Sequence, residues 1–295
     1  MTKDNNEKRT LDFPDNISLP FFAYGIFKPG QLAYSKIRNR VKENDNVEIN
    51  YNMKHRDGVP ILINRESDYL RTKGVIITFR KGQEKESYKI ICNTLLRNLY
   101  EWKTIEINGQ EVNVLFGVNP NNGSSAIENP KEKVNFDGKN DPLFNEAIDL
   151  IKQNLKLNKR PNTNLKSKET ENIEMFFNLQ MNYMLLWSAI DRFCSLKYNR
   201  NQTQNIKKFA NQKAFKDSIK KFENKEHRPV YSTDHLKMHK FNANDPDETM
   251  FYYYTFRCNV VHRGKATIGD YEMLKQATYE LLEIFEDVLK STFNE

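Results

Sequence analysis

Cysteine is scarce in this chain: 3 of 295 residues, Cys92, Cys194 and Cys258, with no Cys-x-x-Cys pair among them. A disulfide framework and a cysteine-built zinc site are therefore not expected, and the three thiols read as buried ones. Long apolar runs are missing as well. Nothing approaches the roughly 18 apolar residues that cross a bilayer as a helix, and the start, MTKDNNEKRTLDFPDN, lacks the apolar stretch of a secretory signal. The expectation is a chain without a membrane partner, in the cytoplasm. Internal repeats and low-complexity tracts are absent too. Histidine is sparse, at 5 residues. Three of them, His227, His235 and His239, fall close together, but no cysteine joins them and their segment lacks helical periodicity. Surface histidines are expected there rather than a metal site, and no cofactor is implied.

What the chain does have divides into two unlike halves, as its length suggests. The first is strand-rich. LPFFAYGIF at 19–27 is an apolar and aromatic strand broken by Lys28-Pro29-Gly30, with a short helix expected over 31–41. Strands are expected at 47–54, in VPILI and in GVIITF, and a helix over 86–99 with Tyr88, Ile91, Leu95 and Leu99 near one face. WKTIEI and QEVNVLFG are joined by Asn108-Gly109, whose residues supply the positive φ angles of a type I′ hairpin turn. Residues 119–140 are dense in Asn, Gly, Pro and Ser and read as a linker. From 141 onward helical signals take over: Phe144, Ile148, Ile151 and Leu155 at near-helical spacing, then a long periodic stretch over 169–198. Within that stretch Ile173, Phe176, Phe177, Met181, Met184, Leu185, Ile190 and Phe193 are the expected core. Helices are also expected over 199–222, 247–263 and 267–293. The fold class is α+β: a mixed, barrel-like β domain over 1–118, the linker over 119–140, and an all-α bundle over 141–295.

The net charge of +7 is concentrated. Residues 199–240 hold 11 Lys and Arg against 4 Asp and Glu, which equals the excess of the whole chain. Such a segment is either a solvated helix face or a surface for phosphates, and Lys207, Lys208, Lys220 and Lys221 are its candidate RNA contacts.

Just beyond it lies FYYYTFRCNVVHRGKA, an R-x-x-x-x-H site formed by Arg257 and His262. By spacing alone these residues fit equally well a surface ion pair and a helix-end cap beside Gly264. The surrounding aromatic run, the glycine and the amphipathic segment that follows resemble the HEPN family of all-helical ribonucleases. LLWSAIDRFCSLKY, with Asp191 among apolar neighbours, resembles a core helix of that family. The resemblance implies a metal-independent endoribonuclease, a homodimer whose Arg and His meet their symmetry mates across a cleft, and a role as a toxin or antiviral defence effector. RNA brings its own nucleophile, the 2′-hydroxyl. His262 then suits the general acid/base, and Arg257 suits a clamp on the phosphoryl oxygens. Asn259 is a candidate to orient either one. On a helix, positions 257 and 262 are about 140° apart, so pairing across a two-fold axis fits better than pairing within one chain.

FFAYGIFKPGQ, with Asp57-Gly58-Val59-Pro60, Gly74-Val75-Ile76 and Tyr100, resembles the gamma-glutamylcyclotransferase-like fold over about residues 18–118. The likeness implies a ligand loop at Tyr24, Gly25, Ile26 and Phe27, where a small-molecule or protein trigger would act. Ile26 and Phe27 stand where that family has Thr or Ser and then Leu. Between Ser87 and Tyr100 there is no Asp or Glu, although Glu84, Glu86 and Glu101 flank the gap. A degenerate, regulatory domain is the expectation, and a cyclotransferase dimerised by an inactive helical domain is the alternative.

Overall fold

A computed structural model describes residues 11–56, 58–95, 98–120, 125–126, 133–157, 168–198, 202–232, 236–263 and 271–294, with the side chains of 125, 126, 133, 157, 168–173, 202, 203, 262 and 263 outside the description. The chain is α+β and divides into two units, Met1–Asp141 with Leu196–Tyr198, and Pro142–Ser195 with Asn199–Glu295.

The first unit is a curled sheet. Its strands are β1 (Phe21–Ala23), β2 (Val41–Ile49), β3 (Tyr51–Arg56), β4 (Val59–Glu66) and β5 (Arg71–Phe79). After helix α1 (Glu84–Thr94) come β6 (Tyr100–Ile107), β7 (Gln110–Gly117), β8 (Ser125–Ala126) and β9 (Lys133–Val134). Spatial order along the sheet is β2-β5-β1-β7-β4-β3-β8, with β6 on β7 and β9 on β5. The apolar triplet of β1 explains its central place: all three residues are buried, antiparallel to β5 and parallel to β7. β5 admits it because position 74 is glycine. A Cβ there would lie 2.2 Å from Cζ of Phe22. The hairpin forms as its dipeptide dictates, with φ of 53° at Asn108 and 80° at Gly109.

α1 buries Ser87, Tyr88, Ile91 and Cys92. The Tyr88 ring meets Phe79 and Trp102 edge-on at 5.4 and 5.5 Å. Its hydroxyl donates to the Leu19 carbonyl at 2.7 Å and accepts from Asn113 Nδ2 at 2.9 Å, so this deep polar group has its partners.

Three expectations for this half are revised. The strand read over 47–54 divides at Asn50 into β2, which pairs with β5, and β3, which pairs with β4. The helix read over 31–41 is two 3-10 turns, Tyr34–Lys36 and Arg38–Arg40, running directly into β2. The segment read as a linker contributes Lys133–Val134 to the sheet and buries Val134 and Phe136 in the first unit's core.

The second unit contains α2 (Glu146–Leu157), α3 (Lys168–Lys197), α4 (Gln202–Ala210), α5 (Lys213–Ile219), strands β10 (Val230–Tyr231) and β11 (Met238–His239), α6 (Pro246–Arg263) and α7 (Tyr271–Asn294). It is therefore not all-α, because β10 and β11 pair antiparallel as a small ribbon before α6. Phe144, Phe193, Phe209 and Phe285 meet at centroid distances of 5.8–6.3 Å. Each fully buried aromatic ring of this kind stabilises by roughly 1.5–3 kcal/mol. On α3 the buried face is Phe176, Leu179, Tyr183, Leu186, Trp187, Ile190 and Phe193, while Phe177 and Met181 are exposed. α3 is apolar on several sides, so hydrophobicity alone does not select the face that meets α6 and α7.

Candidate active site

α6 begins at a capped end. Asp245 Oδ1 accepts the Glu248 backbone N–H at 3.0 Å, and Pro246 occupies the first helical position, where its missing N–H costs nothing. The helix then runs through the whole R-x-x-x-x-H stretch and ends at Arg263. Met250, Tyr252, Tyr253 and Phe256 form its buried side. Arg257 sits at the margin of that side.

The Arg257 side chain is 21% exposed. Its Nη2 lies 3.9 Å from Oδ2 of Asp191 on α3. The guanidinium carbon is 5.5 Å from the centre of the Tyr254 ring, which in turn meets Trp187 edge-on at 5.5 Å. Burial pushes the Tyr254 hydroxyl above its ordinary range and Cys258 adds to this, while the neighbouring guanidinium works in the opposite direction. Arg257 Nε is buried with no hydrogen-bond partner among the described residues. Two of the four residues expected to be catalytic, Asp191 and Arg257, are thus brought together from helices separated widely in sequence. Arg257 does form an ion pair, but with another helix and not along its own.

His262 lies in the last turn of α6, about 7.5 Å along the axis and about 140° around it from Arg257 by helical geometry. Its side chain is outside the described residues, as is Gly264. Asn259 does not turn toward Arg257. Its Nδ2 donates to the Tyr231 carbonyl of β10 at 2.9 Å, tying α6 to the ribbon, and its Oδ1 is buried without a partner among the described residues. Tyr254 escaped the sequence reading, although a ring three residues before an arginine on a helix is placed to meet it.

Lys207 and Lys208 are exposed in the last turn of α4, and Lys220 is exposed after α5. Lys221 is engaged. Its ammonium lies 2.5 Å from Asp287 Oδ2 and 3.3 Å from Glu283 Oε1 of α7. The apolar partners of this basic segment, Ile206, Phe209, Phe215, Ile219 and Phe222, are all buried.

The histidines expected at the surface divide. His239 pairs with Glu248 at 3.1 Å, and His235 is outside the described residues. His227 is a correction, because its side chain is 5% exposed. The ring stacks on Phe241 at 3.9 Å, with Nε2 3.0 Å from Oε2 of Glu280, itself 1% exposed, and Nδ1 2.9 Å from the Lys225 carbonyl. Among the described residues no group of three His, Cys, Asp or Glu side chains is placed to hold a metal ion.

In the first unit, Tyr24, Gly25, Ile26 and Phe27 line a small pocket with Tyr100, Pro60 and Leu115. The free space is about 20 Å³, room for about one water molecule. The Tyr24 hydroxyl donates to the Leu115 carbonyl and that of Tyr100 to the Pro60 carbonyl, each at 2.8 Å. Both phenols, the pocket's obvious polar handles, are thus spent on backbone.

Comparison with protein-family models, with curated proteins and with solved structures finds no match for this chain. No helix among the described residues is long and apolar enough to cross a membrane.

Proposed function

We propose that the second unit is a HEPN-type endoribonuclease acting as a homodimer, and that the first unit is a cyclotransferase-like domain that regulates it. The observation that carries this reading is the approach of Asp191 on α3 to Arg257 on α6. Asp191 aims a guanidinium that remains partly exposed and can give its planar donors to a phosphate. Tyr254 fixes the other face of the same group.

In the proposed reaction, His262 of one copy takes the proton from the RNA 2′-hydroxyl or delivers one to the departing 5′-oxygen. Arg257 of the other copy offsets the charge that builds on the phosphorane. The products are a 2′,3′-cyclic phosphate and a 5′-hydroxyl, since the nucleophile belongs to the RNA. A role in toxin action or antiviral defence follows from the family that the sequence resembles. The cyclotransferase alternative finds less support: among the described residues no carboxylate lines the pocket around Tyr24, and its space is too small for a gamma-glutamyl group.

The test is incubation of the purified chain with total RNA, followed by sequencing of the new ends. His262→Ala is expected to abolish cleavage, Arg257→Lys and Asp191→Asn to impair it, and EDTA to leave it unchanged. An Arg257→Ala/His262→Ala double variant that cuts as fast as the parent would end the ribonuclease reading.

A further inference from the structure

Lys28 is buried in the first unit, 8% exposed, directly after the aromatic loop at Tyr24. Its Nζ reaches two neutral acceptors, Asn135 Oδ1 at 2.5 Å and the Phe136 carbonyl at 2.8 Å. Among the described residues no carboxylate comes within ion-pair distance of it, and Asp137 is paired instead with Lys139 at 3.3 Å. Lys28 lines a cleft of about 800 Å³ with Lys73, Asn46, Glu48, Asn108 and Asn135. That volume is within the range of small-molecule sites. Glu48, the cleft's carboxylate, faces Arg71 at 4.0 Å. Among the described residues, two ammonium groups and three carboxamides thus line this space with a single carboxylate, Glu48, and Asp137 acts on Lys28 from nearby.

A buried ammonium served only by neutral acceptors is costly to the fold unless something of opposite charge joins it. We propose that this cleft binds a small organic anion, a carboxylate or a phosphate ester, with Lys28 and Lys73 facing its charge and Asn46, Asn108 and Asn135 meeting its polar groups. The electrostatics agree. Burial lowers the Lys28 ammonium to about 8, with Lys73 pushing the same way and Asp137 opposing. An arriving anion reverses that balance, so binding takes up protons near pH 8 and weakens as pH rises beyond it. The site is separate from the pocket at Tyr24 and independent of the ribonuclease reading, because it involves neither RNA nor the second unit.

The test is calorimetric titration of the full chain with inorganic phosphate, and separately with L-glutamate, at pH 8 in two buffers of different ionisation enthalpy. The expected result is binding of one or both probes with net proton uptake. Phosphate alone identifies a phosphate site, and glutamate alone a carboxylate site. Lys28→Met should weaken the binding roughly tenfold or more and abolish the proton uptake, while Lys103→Met, outside the cleft, should change neither. Should Lys28→Met fail to fold, NMR of the reductively ¹³C-methylated parent replaces it, with the Lys28 titration midpoint rising when the probe is added. No binding of either probe at about 10 mM, or binding without proton uptake and without a shift of that midpoint, would overturn the proposal.

Discussion

Glu280→Gln changes one atom type in a carboxylate that is only 1% exposed, and its effect can be worked out from the surroundings. Glu280 accepts from Tyr253 Oη at 2.9 Å, from Gln276 Nε2 at 3.0 Å and from His227 Nε2 at 3.0 Å, with Lys225 Nζ at 3.7 Å. Glutamine keeps the shape but removes the charge and replaces one acceptor with a donor, so at least one of those groups is left facing N–H. Breaking a buried pair from one side costs about 3–5 kcal/mol. At about 2–4 °C per kcal/mol for a unit of this size, the melting temperature should fall by roughly 6–20 °C.

The acid limb provides a second reading. Burial by itself would raise the Glu280 carboxyl, but hydrogen bonds from His227 and Gln276, together with Tyr253, outweigh it and hold the group below its ordinary 4.5. A lowered carboxyl stabilises the fold above 4.5, and that contribution is lost as pH falls through its folded value. The glutamine variant has no such group, so its stability should be flatter with pH on that limb. Scanning calorimetry from pH 3 to 7 checks both effects. A variant that melts within about 2 °C of the parent, with the same acid limb, would refute the claim that this cluster holds the unit together.

Gly74→Ala should destabilise the first unit by about 1–3 kcal/mol, because its Cβ meets the Phe22 ring and the Ala23 carbonyl with no free space; urea denaturation followed by Trp102 fluorescence measures it. Light scattering of the full chain at micromolar concentration should give twice its 34.9 kDa, and a strictly monomeric species would sink the shared-cleft reaction. Neutralising Lys207, Lys208 and Lys220 should flatten the salt dependence of RNA binding by roughly 0.7 log units of slope per lost contact. Lys221→Met should change that slope little, because Glu283 and Asp287 already hold its charge; filter binding across a salt series separates the two.

The sequence was most legible where local chemistry decides the backbone. Asn108-Gly109 admits few alternatives to a tight hairpin turn, and the run from Ile206 to Phe222 shows its buried side through spacing alone, even though the helix breaks after Ala210. Legibility failed where the environment is assembled from distant segments. His227 looks like any histidine in a polar stretch, and Glu280, which makes it a core residue, is 53 residues away. Lys28 is buried by Asn135 and Phe136, more than a hundred residues downstream, in a stretch whose composition suggests a linker. On α3, Phe177 and Met181 carry the same apolar signal as Phe176 and Leu179, and only the partner helices distinguish them. Within the site, the approach of Asp191 to Arg257 was not legible, since nothing in either helix points to the other.

The place of β1 between β5 and β7 has a consequence for how the protein is made. Phe21 is in register with Ile77 on one side and with Asn113 on the other. A nascent chain therefore cannot complete the middle of its sheet until the hairpin ending at Gly117 has left the ribosome, and β9 joins later still. Through that interval the earliest strand, FFA, waits with an open hydrogen-bonding edge. Pairings this distant in sequence are slow to form, and open apolar edges invite association with other chains. Synthesis that stalls near residue 100 would thus release a fragment that aggregates, whereas release after residue 141 would yield a chain with its sheet complete but without Leu196–Tyr198 of the first unit.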